Sequence, residues 1–237
     1  MNNLNHIKGL LFDKDGTLID FSASWLQPMK DVTGLIAERS GQADLQLKLL
    51  LDGGYEPESD TWAKDSAIAF ETSENIYKRW ASMVGTELIE SLLPEMQAII
   101  YASLKNAAPV VENMTGLFTQ LTRNYTLGVA SMDDETNVIQ TLDGLGLHEH
   151  IDFYCGADSG FGIKPGPGMV LAFCEQVKLA PEQVAVIGDS THDLKMARAA
   201  GAVSIGVLSG ASSEQTLSEH ADILMQDIGK LTLHLLA

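Results

Sequence analysis

Two apolar runs in this chain end in closely spaced acids. Leu10-Leu11-Phe12 leads into Asp13-Lys14-Asp15-Gly16-Thr17, and Val184-Ala185-Val186-Ile187 leads into Gly188-Asp189-Ser190-Thr191-His192-Asp193. An ionised carboxylate beside a buried strand is costly unless a cation or hydrogen bonds compensate it, and a metal site would provide that compensation. Brought together in one sheet, the two acidic strand ends could share an ion. Asp13 and Asp15 also stand at positions i and i+2. Such residues point the same way in extended backbone, so both carboxylates could face one bound group from different sides.

Two further segments complete a set. The apolar run Tyr125–Ala130 ends in Ser131, and Gly162-Ile163-Lys164-Pro165-Gly166-Pro167 carries a lysine. In order and spacing these four segments resemble the motifs of the haloacid dehalogenase-like hydrolase superfamily. Its first motif reads Asp-x-Asp-Gly-Thr and its fourth Gly-Asp-x-x-x-Asp. The resemblance runs over essentially the whole chain, and its helical insertion is closest in style to phosphoglycolate phosphatase-like members.

The resemblance implies Mg²⁺-dependent hydrolysis of a phosphate monoester, which needs an in-line nucleophile, an acid for the leaving group and cations for the equatorial oxygens. On this footing Asp13 is the nucleophile that forms an aspartyl-phosphate, and Asp15 protonates the departing alcohol and then activates water. Mg²⁺ would take Asp13, Asp189 and the backbone carbonyl of Asp15, with Asp193 orienting waters around it. Lys164 would neutralise the nucleophile and the transferring group. The Ser131 hydroxyl and the amides of Lys14, Asp15 and Met132 would hold the phosphate oxygens. Two positions depart from the usual pattern. Met132 stands where Asn is frequent, and Lys14 where an apolar residue is commoner. The Lys14 side chain is expected to pack backwards with its amine reaching solvent, or else to add positive charge at the substrate entrance.

The elements that must position these residues are legible as a series of apolar strands, Ile7–Phe12, Tyr125–Ala130, Phe153–Gly156, Val184–Ile187, Val203–Val207 and Ile223–Met225. Amphipathic stretches such as Val138–Leu145, Met169–Val177 and Leu194–Ala200 alternate with them, which argues for an α/β fold with a parallel sheet covered on both faces. The resemblance implies a Rossmann-like sheet of order 3-2-1-4-5, placing the first and fourth strands side by side.

Residues 21–107 show no convincing strand and are expected to form an all-helical cap inserted into a core made of residues 1–20 and 108–237. Trp25–Ser40, Trp62–Phe70, Glu74–Met83 and Glu87–Lys105 carry helical spacing, broken at Gly41, Gly53-Gly54 and Gly85. Hinges are expected near Ile19–Ser22 and Asn106–Asn113, and Pro94 should kink or restart the last helix. Ser24, Trp25, Lys30, Arg39 and Arg79 are the polar cap residues that could meet a substrate.

Composition narrows the partners. With 15 Lys+Arg against 32 Asp+Glu the formal charge is −17, which opposes binding to nucleic acid or to an anionic membrane. No apolar stretch approaches the length of a membrane helix and no signal-peptide core is visible, so a cytoplasmic monomer or homodimer acting on a small phosphorylated metabolite is expected. P-type ion pumps share the Asp-Lys-x-Gly-Thr-Leu string but need several membrane spans. Cys155 and Cys174 have no metal-ligand spacing and read as reduced thiols, Cys155 as a buried strand residue.

Taken singly, each feature has a plainer reading. Asp15-Gly16 can be a turn, Asp189 and Asp193 can flank a helix N-terminus, Ser131-Met132-Asp133 can be an N-cap, and Lys164 can be a solvated lysine. His192 reads as packing or a surface hydrogen bond. Turn chemistry requires neither acids after two separate strands nor a lysine between them, so the joint pattern points to catalysis. Halide displacement is disfavoured because it needs no second acid at Asp15. A β-phosphoglucomutase-type phosphomutase and a non-catalytic phosphate-binding regulatory module stay open. Phosphonate hydrolysis would need an imine-forming cap lysine, and nothing distinguishes Lys30, Lys48, Lys64 or Lys78. Among small phosphorylated acids and sugars, 2-phosphoglycolate leads by family similarity alone.

Overall fold

A computed structural model describes residues 4–64 and 66–232. Strand β1 (Gly9–Phe12) is followed by the insertion, α1 (Phe21–Ser40), α2 (Leu45–Gly53), β2 (Tyr55–Glu56), β3 (Thr61–Trp62), α3 (Ala67–Phe70), α4 (Ser73–Val84) and α5 (Thr86–Leu104). The chain then runs through α6 (Met114–Leu121), β4 (Thr126–Ala130), α7 (Glu135–Gly144), β5 (Phe153–Cys155), α8 (Gly168–Val177), β6 (Val184–Gly188), α9 (Thr191–Ala200), β7 (Val203–Val207), α10 (Glu214–Ser218) and β8 (Ile223–Met225).

The main sheet is parallel throughout, in the order β5-β4-β1-β6-β7-β8. This is the expected 3-2-1-4-5 order with the last short strand added at the edge. Alternation along the buried strands divides the core into two layers. Leu11, Val184 and Val186 pack with Met169, Phe173 and Met196, under α8 and α9. Leu10, Phe12, Ala185 and Ile187 join Phe118, Leu121, Val138 and Leu142, under α6 and α7.

That second layer continues into the insertion. Phe21, Trp25, Met29, Val32 and Ile36 form one stripe of α1, and Ile89, Leu92, Met96, Ile100 and Leu104 one stripe of α5. The two helices pack along these stripes, and truncating such a buried side chain to Ala generally costs about 2–5 kcal/mol. The Asp20 side chain accepts from Ala23 N and caps the start of α1; Gly41, at φ 70°, closes its end.

The two chain crossings between sheet and insertion lie side by side. Asp20 N donates to Ala108 O at 2.8 Å, Val110 N to Leu18 O at 3.0 Å, and Ala108 N to Ser24 Oγ at 3.1 Å.

The insertion departs from its expected form in two places and, at Pro94, sets aside one of two expected alternatives, the restart. A hairpin of two residues per strand, β2 against β3, interrupts the helices; Trp62, expected to open a helix running to Phe70, belongs to it, and the helix there is confined to Ala67–Phe70. Helix α2 was not expected from the sequence. Helix α5 continues through Pro94 without restarting, as α1 does through Pro28.

Candidate active site

The sheet register gathers the acids. Phe12 lies level with Val129 on one side and with Ile187 on the other, so Asp13, Ser131 and Asp189 emerge together beyond the C-terminal ends of their strands. Asp13, Asp189 and Asp193 are all buried and can present carboxylate oxygens within 4.8 Å of one another. Lys164, buried in the loop between β5 and α8, donates to Asp13 Oδ1 at 2.5 Å and to Asp193 Oδ1 at 2.6 Å.

Local sequence sets each of these groups. Asp193 Oδ2 accepts from Ser190 N at 3.2 Å and from Ser190 Oγ at 2.6 Å, closing the N-terminus of α9 and leaving Oδ1 for Lys164. Asp189 Oδ2 accepts from Ala211 N at 2.8 Å, in the loop after β7. A Cβ at Gly188 would stand 2.3 Å from Asp193 Cγ, and one at Gly210 would stand 1.9 Å from Asp189 Oδ2. Both acids therefore sit against backbone that only glycine can present.

The charge of the cluster is only partly met. Burial pushes the Asp13 carboxyl up to about 7; Lys164 opposes the rise, and Asp193 and Asp15 add to it. Asp189 is raised well above the ordinary carboxylate range by burial, then by Asp13 and Asp193. Lys164 stays protonated: burial alone would lower it, but Asp13 and Asp193 outweigh that effect. Three buried carboxylates against one ammonium, with oxygen ligands only, suit a hard divalent cation such as Mg²⁺.

Asp15 is held from both sides. Its Oδ1 accepts from Trp25 Nε1 of α1 at 2.5 Å, and its Oδ2 pairs with Lys14 Nζ at 2.7 Å. Lys14 Nζ also pairs with Asp133 Oδ2 at 3.1 Å and stands 5.0 Å from the Trp25 ring centroid. The amine expected to reach solvent is thus fully buried. Asp15 and Asp133 outweigh the desolvation that would otherwise discharge it. Asp133 in turn accepts from Asn137 Nδ2 at 2.6 Å, from Asp134 N at 2.8 Å and from Ser73 Oγ of α4 at 3.4 Å.

Ser131, Met132 and His192 line the same cleft as Asp13 and Lys164. The Ser131 hydroxyl oxygen accepts from Asp133 N at 3.1 Å, which turns its hydrogen away from that neighbour. His192 meets the Phe70 ring edge-on, with centroids 5.7 Å apart, and burial lowers its affinity for a proton.

Of the polar residues of the insertion singled out from sequence, only Trp25 bonds a group of the acidic site. Ser24 bonds the returning linker, Lys30 pairs with Asp60, Arg39 with Glu95, and Arg79 with Asp52 and Glu71. Sequence reasoning missed Asp133, the Ala211 amide and Phe70. Asp133, two residues after Ser131 and seen there only as part of an N-cap, was the one with a local signal. Cys155 and Cys174 are free and buried, and burial pushes the Cys155 thiol up to about 12. Among the described residues no helix is long and apolar enough to cross a membrane.

The chain as a whole is similar to known proteins. The haloacid dehalogenase-like hydrolase family model matches residues 7–201. Phosphoglycolate phosphatase of Escherichia coli (strain K12) is 25% identical over 243 residues, covering 98% of this chain and 93% of the relative. A structure from Haemophilus somnus 129PT, described as a predicted phosphoglycolate phosphatase, superposes with TM-score 0.73 at 18% identity, covering 98% of this chain and 99% of its own. A candidate β-phosphoglucomutase from Thermotoga maritima gives TM-score 0.67 at 17% identity, covering 96% and 98%. These two structures are similar to this chain in fold.

Proposed function

The chain belongs to the haloacid dehalogenase-like hydrolase family, and on that premise we propose that it is a Mg²⁺-dependent phosphomonoesterase of small phosphate esters working through an aspartyl-phosphate on Asp13. One observation carries the reading. The carboxylate ending the central strand is bonded by a buried lysine and belongs to a buried acidic triad with charge to spare. Asp13, Asp189 and the Asp15 carbonyl would hold Mg²⁺, with Asp193 beside it, and the ion would supply positive charge to the phosphate oxygens.

The residues of this chain divide the work as follows. Asp13 attacks phosphorus, and its own charge is offset by Lys164 Nζ. The bond from phosphorus to the ester oxygen breaks, and Asp15 gives that oxygen its proton. Asp15 then takes a proton from the water that cleaves the acyl-phosphate, returning both carboxyls to their first state. The Ser131 hydroxyl and the amides of Lys14, Asp15 and Met132 donate to the equatorial oxygens, while the Lys14 ammonium, committed to Asp15 and Asp133, serves to aim the acid. Helices α1–α5 act as a cap hinged at the paired linkers 18–20 and 108–110, and closing it excludes bulk water.

Release of inorganic phosphate from p-nitrophenyl phosphate and from a panel of phosphometabolites tests the reading. Free phosphate is expected, not an isomerised ester, and folded protein that releases none from any ester rejects it. The relatives' name makes 2-phosphoglycolate the first metabolite to assay. Trp25→Phe removes the donor to Asp15 while keeping an aromatic ring. It is expected to slow alkyl phosphates about tenfold and p-nitrophenyl phosphate much less, because an activated leaving group does not need the proton. Equal slowing of both would mean that Trp25 does not position the acid.

A further inference from the structure

Next to Asp15 lies a cavity of about 50 Å³ that adjoins the phosphoryl cleft through Asp15, Ala69 and Met132. Its position is where the alcohol of a bound ester must go, since Asp15 is the group that meets the leaving oxygen. Trp25, Met29, Ile76 and Ile100 form an apolar wall. Every charged residue among those described as lining it is acidic: Asp15, Glu71 and Asp133.

The cations around it are already engaged. Lys14 is bound to Asp15 at 2.7 Å and to Asp133 at 3.1 Å, and Arg79 to Glu71 at 2.7 Å and to Asp52 at 2.8 Å. The first turn of α4, whose backbone could otherwise receive an anion, is faced by Asp133 through Ser73 Oγ at 3.4 Å. A carboxylate brought into this space would be stripped of water and set against Glu71 and Asp133, two acids outside the catalytic set, with no free cation to pair with.

Resting on the phosphatase reading above, we infer that the ester's alcohol packs its carbon skeleton on Trp25 and Met29 and carries no anionic group. The ester for which the relatives are named carries a carboxylate and is therefore a poor substrate for this chain. The wall and the engaged cations decide this, and the catalytic acids do not.

The test compares kcat/KM, with Mg²⁺ present, for three esters of similar size: propyl phosphate, phosphoethanolamine and 2-phosphoglycolate. The uncharged and the ammonium esters are each expected to exceed 2-phosphoglycolate by about tenfold or more. If 2-phosphoglycolate equals or exceeds propyl phosphate, the inference is overturned. It is overturned as well if phosphoethanolamine falls below 2-phosphoglycolate, since then the presence of charge and not its sign is what matters. Glu71→Gln removes one acid and frees Arg79 Nη1 while Asp52 still holds the rest of the guanidinium, and should raise the ratio of 2-phosphoglycolate to propyl phosphate about fivefold or more. A ratio that does not move in folded Glu71→Gln protein contradicts the role given to the cavity's charge. p-Nitrophenyl phosphate and the phosphometabolite panel separate the two readings: if none of them and none of the three esters is hydrolysed, the phosphatase reading fails and the inference falls with it. Turnover of p-nitrophenyl phosphate with the wrong ester ranking overturns the inference alone.

Discussion

Asp13→Asn is expected to lower phosphate release by on the order of 10³-fold or more, because the amide cannot form the acyl-phosphate and no neighbour takes its place. Asp189 is bound by Ala211 N and Asp193 is closed into the cap of α9, so neither can swing to the nucleophile's position. The same change should leave the melting temperature unchanged or higher. Burial and the like charges of Asp193 and Asp15 push Asp13 up to about 7, so its ionised form weighs against the folded protein at neutral pH. Lys164 keeps Asp193 as a partner at 2.6 Å after the substitution. More than a few per cent residual turnover, in protein with an intact melting profile, would reject Asp13 as nucleophile.

Removing divalent metal is the second large effect. A chelator should abolish turnover, and added Mg²⁺ should restore it. The same experiment has a thermodynamic readout. A carboxyl whose folded-state value is raised binds more protons when folded than when unfolded, so stability falls as pH climbs from the ordinary value of 3.8 towards about 7. Asp189 shifts in the same direction. Metal-free protein should therefore melt lower at pH 8 than at pH 5. Mg²⁺ should raise the melting temperature, and more at pH 8, where the carboxylates are free of protons. An equal increment at both pH values, or full activity in excess chelator, would contradict the assignment of the triad as the metal site.

What the sequence disclosed and what it hid follow from how local each signal is. Asp13, Asp189, Ser131 and Lys164 were legible because each stands within a few residues of an apolar strand or a turn, and the sheet order then brings the strand ends together. Lys14 was misread because its partners, Asp133 and Trp25, lie after a different strand and on an inserted helix. Nothing near Lys14 announces that two carboxylates will wait for its ammonium. Helix α2 escaped because Leu45, Leu49 and Leu50 are buried while Leu47 and Leu51 of the same run are each 49% exposed, so the Leu-rich run shows no clear stripe. The β2–β3 hairpin has two residues per strand, too short for alternation to register. Of the kink or restart expected at Pro94, the restart does not occur, because packing along α1 carries α5 past it as one helix.

Acid-quench trapping tests the central claim most directly. Enzyme mixed with a ³²P-labelled ester and Mg²⁺ for a fraction of a turnover, then quenched, should carry acid-stable, hydroxylamine-sensitive label on the peptide containing Asp13, and Asp13→Asn should carry none. Label on another residue, or hydrolysis in a single turnover with no protein-bound phosphate at any quench time, would contradict the proposal that the phosphoryl group passes through Asp13.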